Sequence, residues 1–225
     1  MRRVGSLSVD RSRTAKESPV TTPSVSRPQV AVLAGINGAG KTTASQHILR
    51  DAMRIPSFTN ADTIARGLNA FDVESVAAKA GRVMLDHLHG LAAARQSFAF
   101  ETTLSGRAYA RWLGELARDG YAIHLLYYWL RSPDLAIRRV TDRVRAGGHH
   151  VPDDTVRRRY ARSVRNFLEL YRPIVTTWQV YDNSNGQRQL IAFNNSFFDT
   201  VLDPDLWDVF NRSADDGGTN SPTDG

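Results

Sequence analysis

The residues best suited to chemistry lie in the segment GINGAGKT (35–42), which matches the pattern G-x-x-x-x-G-K-[ST] at every fixed position. Glycines in this pattern let the backbone turn tightly, so that its N–H groups point inward around phosphate oxygens. Lys41 is then expected to reach the β- and γ-phosphates of a nucleotide, and the Thr42 hydroxyl to bind Mg²⁺. A plain glycine-rich turn is the alternative. The apolar segment 29–34 before the pattern and a helix predicted over 42–53 favour a phosphate site.

A carboxylate follows each of the next two apolar segments. Asp62 comes just after the segment 57–60, where it can orient and deprotonate an acceptor hydroxyl, as carboxylates do in phosphoryl transfer. An N-cap for a helix that begins near Thr63 explains Asp62 equally well at this stage. Glu101 leaves the strand predicted over 97–100. It either holds Mg²⁺ through water or bonds a substrate hydroxyl, with a solvent-facing acid at a strand end as the alternative.

A glycine pair, Gly147-Gly148, separates helices predicted over 133–145 and 153–171, both of which carry arginines. This arrangement is typical of a closing lid, whose arginines can neutralise charge on a transferred phosphoryl group. A solvated basic helix face is the alternative. Because the three consecutive arginines at 157–159 cannot share one helical face, we expect at least one of them to be structural or exposed.

Smaller polar groups lie near the same strand ends. Thr103 and Ser105 suit a substrate with several hydroxyl groups. Arg82, on a long helix predicted over 73–95, faces either the cleft or solvent. The segment YDNS (181–184) either lines the pocket for a nucleotide base or forms a strand-end turn.

These residues need a scaffold that gathers strand ends at one edge. Short apolar segments alternate with helical patterns along the chain, and strands are predicted over 29–34, 57–60, 97–100, 121–130, 177–181 and 189–193. The alternation predicts an α/β fold of three layers, with a mostly parallel central sheet of about five strands and a helical lid. In such a sheet the ligand site lies at the carboxyl ends of the strands.

The composition limits the class of protein. The 225 residues, 41% of them hydrophobic, predict one folded domain, and no apolar run is long enough to span a membrane. The absence of cysteine excludes disulfides and a cysteine nucleophile. The net charge of +6 comes without a basic stripe that alternates with aromatic residues, so a small anionic ligand is expected rather than nucleic acid. Segments 1–28 and 213–225 are expected to be flexible tails around a domain at 29–212, in a cytoplasmic protein.

With these motifs in order, the chain resembles the zeta toxin family of P-loop kinases. The resemblance rests on GINGAGKTT (35–43), NADTIA (60–65), FAFETTLSG (98–106), RVRAGGHHVP (143–152), VRRRY (156–160) and YDNS (181–184). It implies the three-layer P-loop kinase fold and ATP- or GTP-dependent phosphorylation, with Mg²⁺, of the 3′-hydroxyl of the sugar of UDP-N-acetylglucosamine. It also implies a toxin that blocks cell-wall precursor synthesis, with an antitoxin protein as a candidate partner.

The resemblance also implies roles for individual residues. The implied catalytic residues are Asp62 as the base, Lys41 and Arg158. The implied nucleotide-binding residues are Gly35, Asn37, Gly38, Ala39, Gly40, Lys41, Thr42, Thr43, Arg143 and Arg159, with Thr42 also the metal ligand. The implied substrate-binding residues are Asn60, Arg82, Glu101 and Thr103.

Two other functions stay open at the level of sequence. A switch protein that hydrolyses nucleotide and signals to a partner would need a guanine-reading motif such as N-K-x-D, which does not occur. A kinase of the same fold with another acceptor, such as an antibiotic or a metabolite hydroxyl, fits every motif above.

Overall fold

The computed structural model describes residues 27–43, 49, 53–148 and 150–215. Its strands are β1 (Gln29–Gly35), β2 (Ser57–Thr59), β3 (Phe98–Thr102), β4 (Ala122–Trp129), β5 (Thr177–Asp182), β6 (Gln189–Asn194) and β7 (Asp199–Val201). Its complete α-helices are α1 (Ala61–Leu68), α2 (Ala77–Ala93), α3 (Ala108–Arg118), α4 (Pro133–Arg145), α5 (Asp153–Asn166) and α6 (Pro204–Arg212). The helix predicted over 42–53 and both predicted tails lie largely outside the described residues.

The strands form one sheet in the order β2-β3-β1-β4-β5-β6-β7. The first five are parallel, and β6 and β7 are antiparallel to their neighbours. The predicted α/β fold with a mostly parallel sheet is therefore confirmed, but the sheet has seven strands instead of about five. The prediction missed β7 because this strand has only three residues and lies at an exposed edge, so it shows no apolar alternation.

The central strand β1 sits between β3 and β4, and residues 30–34 of β1 are fully buried. Val30, Val32 and Ala34 join the larger apolar cluster, whereas Ala31 and Leu33 join a smaller cluster on the opposite face. A strand covered on both faces needs apolar residues at every position, which explains the continuous run in the sequence. After β1 the chain forms β2 and β3 on one side of this strand and then β4 on the other side. Sheets with such a reversal of strand order bind ligands in the crevice beyond the carboxyl ends of the strands on either side of the reversal.

Helix α5 is fastened to the sheet by buried hydrogen bonds. The Tyr160 hydroxyl donates to the carbonyl oxygen of Leu130 over 2.7 Å and accepts from Trp129 Nε1 over 3.0 Å. One turn further along, Ser163 Oγ lies 2.6 Å from the Tyr127 hydroxyl. The predicted helix over 153–171 ends as an α-helix at Asn166 and continues as a π-helical turn.

The two ends of the described chain pack on the domain. The Arg27 guanidinium donates to the carbonyl oxygens of Gly120 and Tyr121, and Ser213 and Ala214 are buried. These residues belong to the segments for which the sequence predicts flexible tails. Within the described ranges, no helix has both the length and the apolar character needed to cross a membrane.

Candidate active site

The glycine-rich loop begins at Gly35, where the end of β1 packs closely on the backbone of β4. Gly35 is paired in register with Tyr128 and has a φ of +128°. A Cβ atom on Gly35 would lie only 2.0 Å from the carbonyl oxygen of Tyr128, which also accepts a hydrogen bond from Ile36 N over 3.0 Å. Only glycine fits this position, so the sheet itself fixes where the chain turns away into the loop.

The YDNS segment (181–184), at the end of β5, is hydrogen-bonded to the glycine-rich loop. Asn183 Nδ2 donates to the carbonyl oxygen of Ala39 over 2.9 Å. Asp182 is buried, accepts from Arg131 Nε over 2.8 Å and accepts from the backbone N of Ser184 over 2.9 Å. The segment is therefore a strand-end turn that braces the loop, which is one of the two alternatives left by the sequence.

Lys41 lies inside the loop with only 7% of its surface exposed. Its ammonium group donates to the carbonyl oxygens of Gly35 and Ile36 over 3.0 and 2.9 Å. Burial lowers the pKa of Lys41 below its ordinary value. The carboxylates of Glu101 and Asp62 oppose this pKa shift, and two nearby arginines, Arg143 and Arg159, add to it. The charges of two acids and two arginines from four different parts of the chain therefore influence the pKa of this one amine.

Glu101 joins the ends of three strands. Its Oε2 accepts from Thr42 Oγ1 and from Asn60 Nδ2, each over 2.8 Å, and its Oε1 lies 3.8 Å from Lys41 Nζ. The alternative of a solvent-facing acid at a strand end is therefore wrong. This carboxylate connects the phosphate-type loop after β1 to the segment after β2.

Asn60, and not Asp62, caps α1. Asn60 Oδ1 accepts from Asp62 N over 2.7 Å, so the N-cap alternative for Asp62 is wrong. Asp62 instead lies in the first turn of α1, where its exposed carboxylate faces the partial positive charge of the helix N-terminus. Since the same Asn60 amide also bonds Glu101, the start of α1 is fixed relative to the loop.

The consecutive arginines on α5 have different surroundings. Arg157 reaches across to Asp134 on α4 over 2.5 Å. Arg158 is mostly exposed and contacts its own helix, at Thr155 Oγ1 over 3.2 Å and Asp154 over 3.8 Å. Arg159 is half-buried, and it is the one of these three arginines whose charge lowers the pKa of Lys41. The structure does not bring Arg158 to the other predicted catalytic residues, and its catalytic role stays a prediction.

Arg143 reaches the site beneath the glycine pair. Gly148 N donates to the Arg143 carbonyl oxygen over 2.8 Å, and a Cβ atom on Gly148 would lie 2.5 Å from Arg143 Cγ. The missing side chain therefore makes room for the arginine stem. Close packing of this kind restricts the directions that the Arg143 guanidinium can take.

The loop after β3 (103–106), which contains the predicted substrate-binding Thr103, is hydrogen-bonded to α5 and to the π-helical turn that follows it. Three of its carbonyl oxygens, those of Thr103, Leu104 and Gly106, accept from Ser163, Asn166 and Tyr171 respectively. The Thr103 hydroxyl lies 2.8 Å from the Ser105 hydroxyl. Sequence reasoning missed Ser163 and Asn166, although two polar residues three positions apart among the buried positions of a helix are a signal of such bonding.

The remaining predicted residues are less informative. Asn37, Gly38, Ala39 and Gly40 form the turn of the loop, and Thr43 is exposed directly after Thr42. Arg82 is exposed on α2. It stays a prediction for substrate binding.

The oxygen ligands beside the loop fit Mg²⁺. Across the described ranges, no group of three or more histidine, aspartate and glutamate side chains is placed to hold a metal ion by itself. Mg²⁺ in nucleotide sites is usually held by one or two carboxylates together with phosphate oxygens and water. The Thr42 hydroxyl and the Glu101 carboxylate, 2.8 Å apart, are the pair that suits this mode of binding.

The lowered pKa of Lys41 predicts a pH-dependent contribution to stability. Between that lowered pKa and the ordinary lysine pKa, the unfolded chain binds more protons than the folded chain at this residue. The contribution of Lys41 to the free energy of unfolding therefore rises with pH across this window. Lys41→Met should lack the rise, as measured by urea denaturation of both proteins from neutral to alkaline pH.

Lys79→Met is the matched control, because Lys79 is exposed on α2. Its stability should run parallel to that of the unaltered protein at every pH. A Lys41→Met curve that also ran parallel would show that the amine is not desolvated in the folded protein.

Comparisons with known proteins show the same fold. Among solved structures, the chain is similar to the complex AvrRxo1-ORF1:AvrRxo1-ORF2 with sulphate ions, with a TM-score of 0.68 and 15% identity over 88% of this chain and 66% of that one. It thus spans about two thirds of the length of that chain. It is also similar to a structure of the PezAT chromosomal toxin–antitoxin system of Streptococcus pneumoniae, with a TM-score of 0.58 and 19% identity over 91% of this chain and 84% of that one.

The sequence comparisons identify the family. An uncharacterized protein from Haemophilus influenzae (strain ATCC 51907 / DSM 11121 / KW20 / Rd) is 29% identical over 126 residues, which cover 56% of this chain and 88% of that protein. The family model described as Zeta toxin matches residues 11–194. This match includes β1 to β6, the glycine-rich loop, both acids and every arginine discussed above, and the chain belongs to the zeta toxin family.

Proposed function

We propose that the protein transfers the γ-phosphoryl group of ATP or GTP to a hydroxyl group of a small molecule. One observation carries the proposal: Glu101 bonds Thr42 of the loop and Asn60 beside Asp62. These bonds support the proposal because they hold Thr42 of the loop close to Asn60, which bonds the backbone of Asp62, the residue that we propose as the base.

The surrounding charges suit transfer without a covalent intermediate. Asp62 orients the acceptor hydroxyl and takes its proton as the oxygen attacks the γ-phosphorus. Lys41 exchanges its two carbonyl partners for phosphate oxygens, while Arg143 and Arg159 neutralise charge on the transferred group. Mg²⁺, held by Thr42 and by Glu101 directly or through water, would neutralise the β- and γ-phosphates when bound.

For the acceptor we propose UDP-N-acetylglucosamine, phosphorylated at the 3′-hydroxyl of its sugar. Membership in the zeta toxin family supports this choice. The adjacent hydroxyls of Thr103 and Ser105 also suit a sugar. By the same reasoning the protein is a candidate toxin with an antitoxin partner, since the similar PezAT structure comes from a chromosomal toxin–antitoxin system. Phosphorylation of an antibiotic or a metabolite hydroxyl is the second candidate.

The test is transfer of labelled phosphate from ATP and from GTP to a panel of sugar nucleotides, aminoglycosides and small polyols. We expect a labelled product with UDP-N-acetylglucosamine and none with the Lys41→Ala variant. Label on another member of the panel alone would favour the second candidate. Release of labelled phosphate with no labelled acceptor of any kind would contradict the kinase proposal.

A further inference from the structure

The outer edge of β7 carries a cluster of exposed apolar side chains. Eight large hydrophobic side chains are exposed in the described ranges, and four of the eight lie within six consecutive positions: Phe197, Phe198, Val201 and Leu202. Exposed apolar residues that occur singly are ordinary, but a contiguous patch indicates an interaction surface. Among the strands that the structure describes, β7 is also the last of the sheet, so its outer side has no neighbour.

The turn between β6 and β7 is fixed by asparagine side chains. Asn195 Oδ1 accepts from the backbone N atoms of Phe197 and Phe198 over 3.1 and 3.2 Å. Asn194 Oδ1 accepts from Ser196 N over 2.7 Å. A defined backbone therefore presents the two phenylalanines to solvent, and another surface could cover them with little further ordering of the chain.

The ladder between β6 and β7 determines which backbone groups of β7 point outward. Leu202 N donates to the carbonyl oxygen of Ile191 over 2.8 Å, so Leu202 belongs to a pair that is hydrogen-bonded toward β6. Hydrogen-bonded pairs alternate along an antiparallel ladder, which makes Thr200 the next residue that bonds β6. The N–H and C=O groups of Asp199 and Val201 therefore point away from β6 and can pair with a further strand.

This outer edge is complementary to itself. Two β7 strands that pair antiparallel around a two-fold axis at Thr200 place Asp199 of each copy opposite Val201 of the other. Each of these two pairs exchanges two N–H···O=C bonds, which gives four bonds between the copies. The same register sets Phe198 opposite Leu202 of the second copy, and both lie on the sheet face of Thr200 because successive strand residues alternate between faces.

Charge at the edge favours this register. Asp199 is the charged residue of β7, and its carboxylate is paired with Arg172 of its own copy. A register centred on Asp199 would set the two copies of this carboxylate opposite each other. A register centred on Val201 would set Asp199 opposite Asp203. Like charges directly opposite are unfavourable, whereas the register centred on Thr200 sets Asp199 opposite an apolar residue.

We infer that β7 is the contact between two copies of this chain, which form a two-fold dimer with one continuous sheet. The side chains of Phe197 and Phe198 are 88% and 59% exposed. Since a phenylalanine buries about 150–250 Å², these rings alone can remove roughly 450–750 Å² from water in the dimer. This is a third or more of the roughly 1,200 Å² that a specific interface needs, and Val201, Leu202 and the paired backbones add to it.

The contact leaves the candidate active site open. The glycine-rich loop follows β1, and β7 lies four strands away from β1, a distance of about 19 Å across the sheet. Neither copy therefore covers the phosphate-binding loop of the other at this edge. Association and phosphoryl transfer can be measured independently.

The test is the molar mass of the full chain by sedimentation velocity, from micromolar to near-millimolar protein. We expect a monomer that converts into a dimer as the concentration rises. Phe198→Glu should raise the dissociation constant about 100-fold or more, because the change occurs twice in a two-fold interface. Val201→Pro should raise it about 10-fold or more, because proline removes an N–H that points outward and leaves the bonds to β6 in place.

Phe71→Glu is the matched control, because Phe71 is fully exposed in the connection between α1 and α2, away from β7. This variant should dimerise like the unaltered protein. Far-ultraviolet circular dichroism should be the same for all the variants. If Val201→Pro lost its structure, Phe198→Glu would still decide the outcome.

A single introduced thiol reports the register, since the chain has no cysteine. The two copies of Thr200 form a pair without hydrogen bonds, whose Cα atoms are about 4.5 Å apart and within the range of a disulfide. Mild oxidation should therefore convert Thr200→Cys into a cross-linked dimer. Lys79→Cys, at an exposed position of α2, should stay mostly monomeric under the same conditions.

Three results would overturn the inference. A monomer at every concentration would leave this edge to another occupant, such as a partner protein. A dimer that neither Phe198→Glu nor Val201→Pro weakens would place the contact elsewhere. Species larger than a dimer would show an open assembly instead of a two-fold pair. Phe198→Glu should transfer phosphate at the unaltered rate, so a failure of the dimer is distinguishable from a failure of the proposed function.

Discussion

Replacing Asp62 with asparagine is expected to lower the rate of phosphoryl transfer by about 10²- to 10⁴-fold, the usual contribution of a general base. Asparagine keeps the shape of the side chain but cannot take a proton from the acceptor. Because Asn60 caps α1, the helix should keep its N-terminus in the variant. Affinity for ATP should stay near that of the unaltered protein, since the loop and Lys41 are intact.

The measurements for Asp62→Asn are single-turnover transfer of labelled phosphate and separate titration with ATP. Asp119→Asn is the control, because Asp119 is an exposed aspartate at the C-terminus of α3. It should transfer phosphate at the unaltered rate. Unchanged transfer by Asp62→Asn would remove Asp62 from the role of base, and loss of ATP binding would mean that the residue serves the nucleotide site instead.

Gly35→Ala is expected to reduce the free energy of unfolding by about 3 kcal/mol or more. Two effects act together at this position. The φ of +128° lies in a region that residues with a side chain rarely adopt, and the new methyl group would lie 2.0 Å from the backbone oxygen of Tyr128. That oxygen belongs to the neighbouring strand and cannot rotate away, so β1 and β4 must separate at the point where the loop starts.

Urea denaturation measures this loss, with Gly90→Ala as the control. Gly90 lies inside α2, and a Cβ atom there would contact nothing within 4 Å. That variant should gain up to about 1 kcal/mol from the higher helix propensity of alanine. If Gly35→Ala unfolded at the same urea concentration as the unaltered protein, the close approach of β1 to β4 would not exist in solution.

The parts of the fold that local sequence determines were predictable. Helix α4 has the predicted bounds, 133–145, because its apolar spacing and the N-cap Ser132 directly before it are local features of the sequence. The glycine-rich pattern likewise predicts its own loop between a strand and a helix. β7 was missed because its three exposed residues are defined by pairing with β6 and not by their own pattern.

Other features of the candidate site could not be predicted, because they depend on contacts between residues that are distant in sequence or on backbone geometry. Asn183 bonds Ala39 across 144 positions of chain, and no spacing rule connects the two. The sequence also cannot tell Arg159 from Arg158, since the choice depends on which side of α5 meets the sheet. Asp62 was ambiguous for a different reason. Asn60 and Asp62 are both good capping residues, and only the backbone geometry shows which one caps α1.

The buried bonds that fasten α5 to the sheet have a kinetic consequence. Arg159 lies on a helix whose Tyr160 and Ser163 are hydrogen-bonded to the core. The conformational entropy of the Arg159 backbone is therefore lost only once, when the protein folds. An arginine delivered by a swinging segment would instead be ordered again in every catalytic cycle. The motion that admits substrate and releases product should then be confined to the Gly147–Gly148 turn, and mutations that stiffen this turn should slow turnover without slowing the chemical step.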